Sequence, residues 1–266
     1  MSRTAERELY RVYERSIAHQ AIPMLFKDKE AEGMVRASGY VPQKEPSQLD
    51  VFRTALTQEI IAEAIRAFLR KHPFALVVQY ECGLSLPFSL YDNGRCRCLC
   101  LDSAELLDLR DALIPERIRE TRIACDPDGR QWQGLIEAQG IAPVFVVIAD
   151  RFLYKTEREA KEITDLLARR FCGGGMIFEY RKKLPGFASL IAEEIGYTVR
   201  DPKREIPYYS GKISSCERIT HLPEGYGRLL PAREGAMLEL MMNSEVFAFA
   251  NLLFEDDKHE SHRDQQ

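Results

Sequence analysis

"FALVVQYECGLSLPFSLYDNG", Phe74 to Gly94, decides how the rest of the chain is read. An apolar run ends in a polar turn that carries a glycine. In an α/β fold this is where the first parallel strand gives way to a ligand loop, because ligands gather beyond the carboxyl ends of the strands. A pyrophosphate would call for G-x-G-x-x-G, so that the backbone can approach it at a helix N-terminus. "ECGLSLP" lacks that triplet: it offers Gly83, and Glu81 stands where such a loop usually has another glycine.

Working outward, the chain alternates strands and helices. Strands are expected at 75–80, 96–102, 121–126, 143–149 and 175–180, with a sixth at 216–222 and a seventh at 245–255. Helices are expected near 103–113, 130–139, 156–171 and 185–196. "TEREAKEITDLLARRF" opens with a Thr cap, has acids in its first turn and stops before Gly173-Gly174-Gly175. Before the first strand, Leu9, Val12, Tyr13 and Ile17 recur at helical spacing, and a short helix is expected before residue 40. "LDVFRTALTQEIIAEAIRAFLRKHP" then has one apolar face from Val51 to Phe68 and ends at Pro73. Serial βα units predict a mainly parallel sheet with helices on both faces. The expected division is an N-terminal helical cap (1–73), a Rossmann-like domain (74–255) and a solvated tail (256–266).

The strand ends supply the candidate site. Asp102 closes the second strand nineteen positions after Gly83. A carboxylate there can accept hydrogen bonds from two ribose hydroxyls; it can equally cap the helix that begins at "DSAEL". Asp126, after the third strand, can accept from an adenine amino group or serve as a turn residue in "DPDG". S-adenosylmethionine carries no phosphate, so its sites need only a short loop passing close to the methionine part. A single Gly83 with two acidic strand ends suits that cofactor better than NAD.

These residues resemble the leucine carboxyl methyltransferase family, in its bacterial polyketide-type O-methyltransferase branch. The family pattern reads roughly V-V-x-L-G-x-G-L-D-T-R, D-N-G, then D-L-D-x-P-E and L-I-P. Here stand "VVQYECGLSLP", "DNG" and "CLDSAELLDLRDALIPE", and "PVFVVIADRFLYKTEREAKEITDLLARRFCGGGMIFEY" follows the later elements. The resemblance implies a class I S-adenosylmethionine-dependent methyltransferase fold. Its retained matches are Gly83, Leu84, Asp102, Glu105, Asp126 and Tyr154; Arg53, Glu81, Gly83, Asp102, Ser103 and Asp126 are the expected cofactor-binding residues and Tyr154 is expected at the acceptor. It implies O-methylation of a carboxylate or hydroxyl on a small molecule. The departures fall at the cofactor positions. Glu81 replaces a glycine, Ser85-Leu86-Pro87 replaces D-T-R, Cys100 replaces the first acid of D-L-D, and Ala149-Asp150 replaces E-G. The arginine that holds the methionine carboxylate in the family falls at Thr57, with Arg53 one turn earlier as a substitute. Hydrogen bonds to charged groups are worth roughly 1.5–3 kcal/mol each, so two or three losses would weaken binding by orders of magnitude. The alternative expectation is therefore a catalytically inactive protein of this fold, acting as a binding or partner subunit.

The remaining signals narrow the field. A net charge of -4 over 266 residues argues against broad nucleic-acid binding. No apolar run approaches the ~20 residues that span a bilayer. The charged N-terminal stretch lacks a signal-peptide centre, so a cytoplasmic protein with its seven cysteines as thiols is expected. Cys96, Cys98 and Cys100 alternate on one face of a strand and read as packed thiols rather than a zinc knuckle, so no metal is expected. His221 is expected in the sixth strand. Tyr208, Tyr209 and Tyr226 are candidates for an acceptor pocket.

Overall fold

The computed structural model describes residues 2–126, 129, 131–183 and 197–256. The expected helix at 185–196 and nearly all of the tail lie outside them. The elements run α1 (Arg3–Ala21), α2 (Lys29–Ser38), α3 (Gln48–Lys71), β1 (Leu76–Tyr80), β2 (Arg97–Asp102), α4 (Ala104–Leu113), β3 (Glu120–Ala124), α5 (Trp132–Glu137) and β4 (Val144–Ala149). They continue with α6 (Glu157–Arg170), β5 (Gly175–Tyr180), α7 (Pro202–Glu205), β6 (Ile213–Ile219), α8 (Tyr226–Leu229), α9 (Ala232–Asn243) and β7 (Ala248–Phe254).

The sheet has seven strands in the order β3-β2-β1-β4-β5-β7-β6. The β1–β2, β2–β3 and β4–β5 pairs are parallel, and β7 runs antiparallel to both β5 and β6. This is the mainly parallel, Rossmann-like class I methyltransferase architecture expected from the sequence. The chain forms two compact units, one reaching to Gly140 and including Leu222–Leu240, the other holding Ile141–His221 and the segment from Met241.

In the first unit, local chemistry sets the helix ends. Ser2 caps α1 by accepting the Ala5 N–H, Asp28 caps α2 through Ala31, and Ser47 caps α3 through Asp50. β1 is buried along its whole length. Leu9 and Val12 of α1, Ala31 and Met34 of α2, and Ile114 just past α4 enclose Leu84, which belongs to the turn after β1.

In the second unit, Thr156 and Glu159 form the expected capping box at the start of α6. β6 begins three residues earlier than expected and ends before His221. It is an edge strand with exposed serines, so its apolar signal is weak. His221 lies beyond it, exposed, with Nδ1 2.9 Å from Asn243 Oδ1. Among the described residues, no helix is long and apolar enough to cross a membrane.

Candidate functional site

The turn after β1 has an unusual backbone. Glu81 (φ 50°), Gly83 (φ 47°) and Leu86 (φ 49°) all lie in the left-handed region. Side chains disfavour that region, so two non-glycine residues there mark a shape imposed by tertiary contacts. The contacts are visible: Leu84 is fully buried, and Cys82 and Leu86 nearly so.

The polar groups of the turn are satisfied from within the chain. The Cys82 N–H donates to the Leu101 carbonyl at 3.2 Å, and the Ser85 N–H donates to the Cys82 carbonyl at 3.1 Å. The Gly83 N–H donates to Asp102 Oδ2 at 2.8 Å. The Leu84 N–H donates to Glu8 Oε2 at 3.0 Å. On the carbonyl side, Arg110 Nη1 donates to Gly83 (2.9 Å) and Ser85 (3.2 Å), Arg15 Nη2 to Leu84 (2.8 Å), and Gln79 Nε2 to Leu86 (3.0 Å). Glu8 is 1% exposed, and its carboxylate sits against the bare α-carbon of Gly83, where an added Cβ would collide with it.

Beneath the turn lies a buried charged cluster. Arg110 Nε faces Glu120 at 3.4 Å, and both side chains are fully buried. Burial opposes the Arg110 charge, but Cys100, Cys82 and Glu120 around it outweigh that and raise its pKa. Hydrogen bonds from Cys82 and Cys98, with Arg110 nearby, hold Cys100 well below the usual thiol range. Cys98 and Cys100 have their sulfurs 3.7 Å apart, and Tyr91 donates to Cys98 at 3.1 Å. Cys96, Cys98 and Cys100 are all buried and free of disulfides.

The sequence-selected residues fall into separate groups. Asp102 is 2% exposed and accepts from the Gly83 and Ser103 amides, the latter at 2.7 Å. The N-cap of α4 is Ser103 rather than Asp102, and the Ser103 side chain makes no capping bond. Asp126 is exposed and its carbonyl accepts the Gly129 N–H. Burial pushes the Cys125 thiol up, and the charges of Asp102, Asp126 and Glu81 push it the same way. Arg53 pairs along its own helix with Asp50 at 3.9 Å and acts on Glu14 of α1. Tyr154 belongs to the second unit, in a tight turn at Arg151–Tyr154, and is 46% exposed. Tyr209 turns inward to Tyr197, hydroxyl to hydroxyl at 2.8 Å, while Tyr208 is exposed. Tyr226 packs edge-on against Phe26 in the first unit.

Glu8, Arg15 and Arg110 were missed from sequence. A signal existed for the first two: Glu8, Val12, Arg15 and His19 share one helical face, so charges sit within an apolar stripe. The first unit also holds a cavity of about 660 Å³ lined by residues that include Lys27, Asp28, Glu30, Glu59 and Arg66. Its charges are largely paired, Glu30 with Arg117, Asp28 with Arg15, and Arg66 with Glu59 and Glu63.

No protein-family model matches the chain, and no curated protein matches it in sequence. Solved structures of methyltransferases are similar in shape. An O-methyltransferase family protein from Burkholderia thailandensis is 12% identical, with 79% of this chain and 60% of that one covered and a TM-score of 0.41. Magnesium protoporphyrin IX methyltransferase from Synechocystis PCC 6803 with bound S-adenosylmethionine is 10% identical, covering 91% and 97%, at 0.48. The plantazolicin methyltransferase in complex with a triazolic desmethylPZN analog and S-adenosylhomocysteine is 10% identical, covering 94% and 98%, at 0.48. The chain thus spans 60% of the length of the first of these. All three scores lie below 0.5, and the fold assignment rests on the strand order itself.

The family resemblance implies S-adenosylmethionine, and the turn after β1 does not fit that cofactor. Close approach of the methionine part needs the bare face of Gly83, and the Glu8 carboxylate fills that face. At the end of β2, Asp102 is buried and accepts one backbone amide on each carboxylate oxygen.

Proposed function

We propose that this chain is a class I methyltransferase-fold protein that has lost the usual cofactor and works as a binding or partner subunit. The observation that carries the reading is Glu8, a carboxylate of α1 seated on Gly83 and the Leu84 amide. The resemblance to the leucine carboxyl methyltransferase family supports a shared scaffold. The departures at Glu81, Ser85, Leu86 and Pro87 support loss of its cofactor chemistry. A cytoplasmic setting and a protein partner belong to the same proposal. Calorimetry of the full chain with S-adenosylmethionine and S-adenosylhomocysteine tests it. No heat is expected up to millimolar ligand. Micromolar binding that Asp102→Ala abolishes would overturn the reading.

That second outcome would favour an S-adenosylmethionine-dependent O-methyltransferase acting on a carboxylate or hydroxyl of a small molecule. One observation supports it: Glu81, Asp102 and Asp126 gather negative charge around Cys125, which suits a sulfonium cation. In that reading Arg53, Glu81, Gly83, Asp102, Ser103 and Asp126 hold the cofactor and Tyr154 positions the acceptor.

A further inference from the structure

The peptide unit between Gly83 and Leu84 lies between two opposite charges. Its carbonyl accepts from Arg110 Nη1 at 2.9 Å, and its N–H donates to Glu8 Oε2 at 3.0 Å. A guanidinium on the oxygen polarises the peptide and strengthens the N–H as a donor. The next carbonyl, of Leu84, is held by Arg15 at 2.8 Å, so the amide direction is fixed from both sides. Gly83 supplies the clearance, because a side chain there would overlap the carboxylate. Arg11 adds positive charge 3.6 Å from Glu8 Oε1. Apart from Glu8 itself, every part of this arrangement belongs to other residues.

We propose that the turn after β1 is a carboxylate receptor with Glu8 as its built-in ligand. The receptor accepts a free carboxylate once the Glu8 carboxylate is removed. The inference rests on the functional reading above and deepens it, since it names what occupies the loop and the ligand class the loop takes. The two groups are exchangeable because they are the same chemical group, a planar anion with two acceptor oxygens. Its fit depends on one polarised amide and one bare α-carbon.

Chemical rescue tests the proposal on the full chain. Glu8→Ala removes the carboxylate and leaves room for a one-carbon acid. Its melting temperature is expected to fall, and sodium formate is expected to raise it saturably. Sodium chloride at the same ionic strength should not, and formate should not shift the wild type. In a ¹⁵N spectrum of the variant, the Leu84 amide should move with formate and follow the same saturation. Equal formate shifts in wild type and variant, or none in the variant, would overturn the proposal. If Glu8→Ala does not fold, its refolding yield in formate is compared with that in chloride: recovery in formate supports the receptor, and equal yields overturn it. Glu8→Gln keeps an acceptor oxygen in place and is expected to fold without a formate response; a response equal to that of Glu8→Ala would overturn the proposal. The two readings fail separately. Wild-type binding of S-adenosylmethionine with formate rescue intact sinks the functional proposal, whereas no rescue with no cofactor binding sinks only the receptor.

Discussion

Gly83 keeps both properties that a cofactor loop asks of glycine, a positive φ and a bare face, yet both serve a contact within the chain. A Cβ at φ 47° costs about 1–2 kcal/mol in backbone strain. Gly83→Ala should add displacement of the Glu8 carboxylate, which leaves the Leu84 N–H buried without its acceptor, a further ~1–3 kcal/mol. Glu8→Ala alone incurs the second cost. The double variant should therefore lose less than the sum of the singles, by about 1 kcal/mol or more. Denaturant titrations of the four proteins measure this. Strict additivity would mean that Glu8 and Gly83 act independently. At this scale residue type and spacing from a strand end suffice to single out Gly83, Asp102 and Asp126 as candidates. Glu8 and Arg15 left a trace, as charges within the apolar stripe of α1, but their role and that of Arg110 needed the fold, because the backbone groups of the turn that they hold are distant in sequence and have no side-chain signature.

Between elements, the clearest dependence runs through α4. Arg110 joins that helix to the turn after β1 and to Glu120 of β3, with both side chains shielded from water. Removing one partner of a buried pair leaves the other charge uncompensated, at roughly 3–5 kcal/mol. Arg110→Met should incur about that loss and loosen the turn as well, since the Gly83 and Ser85 carbonyls lose their donor. Adding Glu120→Leu removes the stranded carboxylate and should recover a substantial part. Urea midpoints of the single and double variants decide it, and equal midpoints would show that Glu120 is already compensated by Arg122, 3.0 Å away. The elements themselves were largely legible. β1 and β4 are apolar runs between turn signals, and α6 announces itself through Thr156 and Glu159. β6 was misplaced because an edge strand is exposed along much of its length, so its pattern is diluted by Ser214 and Ser215. The seating of α1 on the turn was not legible, although its amphipathic spacing was.

Across the whole molecule, each unit carries a tyrosine whose hydroxyl is hard to ionise, half-buried Tyr226 in the first and buried Tyr209 in the second. In the first unit, burial and then the charge of Glu59 push Tyr226 up to about 12, against the opposing Arg66. In the second, burial and then Glu157 and Glu205 push Tyr209 up to about 12, while its bond to Tyr197 works the other way. An exposed tyrosine in the unfolded chain loses its proton near 10. Between pH 10 and 12 the folded chain therefore binds more protons than the unfolded one, and stability falls as pH rises. Both contributions are fully present below pH 10 and are lost on passing through about 12. Tyr226→Phe and Tyr209→Phe each remove one titrating group while keeping the ring. Each variant should lose less stability than the wild type between pH 10 and 12, and the pair together should flatten the curve further. Denaturation midpoints taken across that window provide the measurement. A wild-type curve no steeper than that of the double variant would mean that neither hydroxyl is shielded from water, and that the alkaline limit of this protein is set by its lysines and thiols instead.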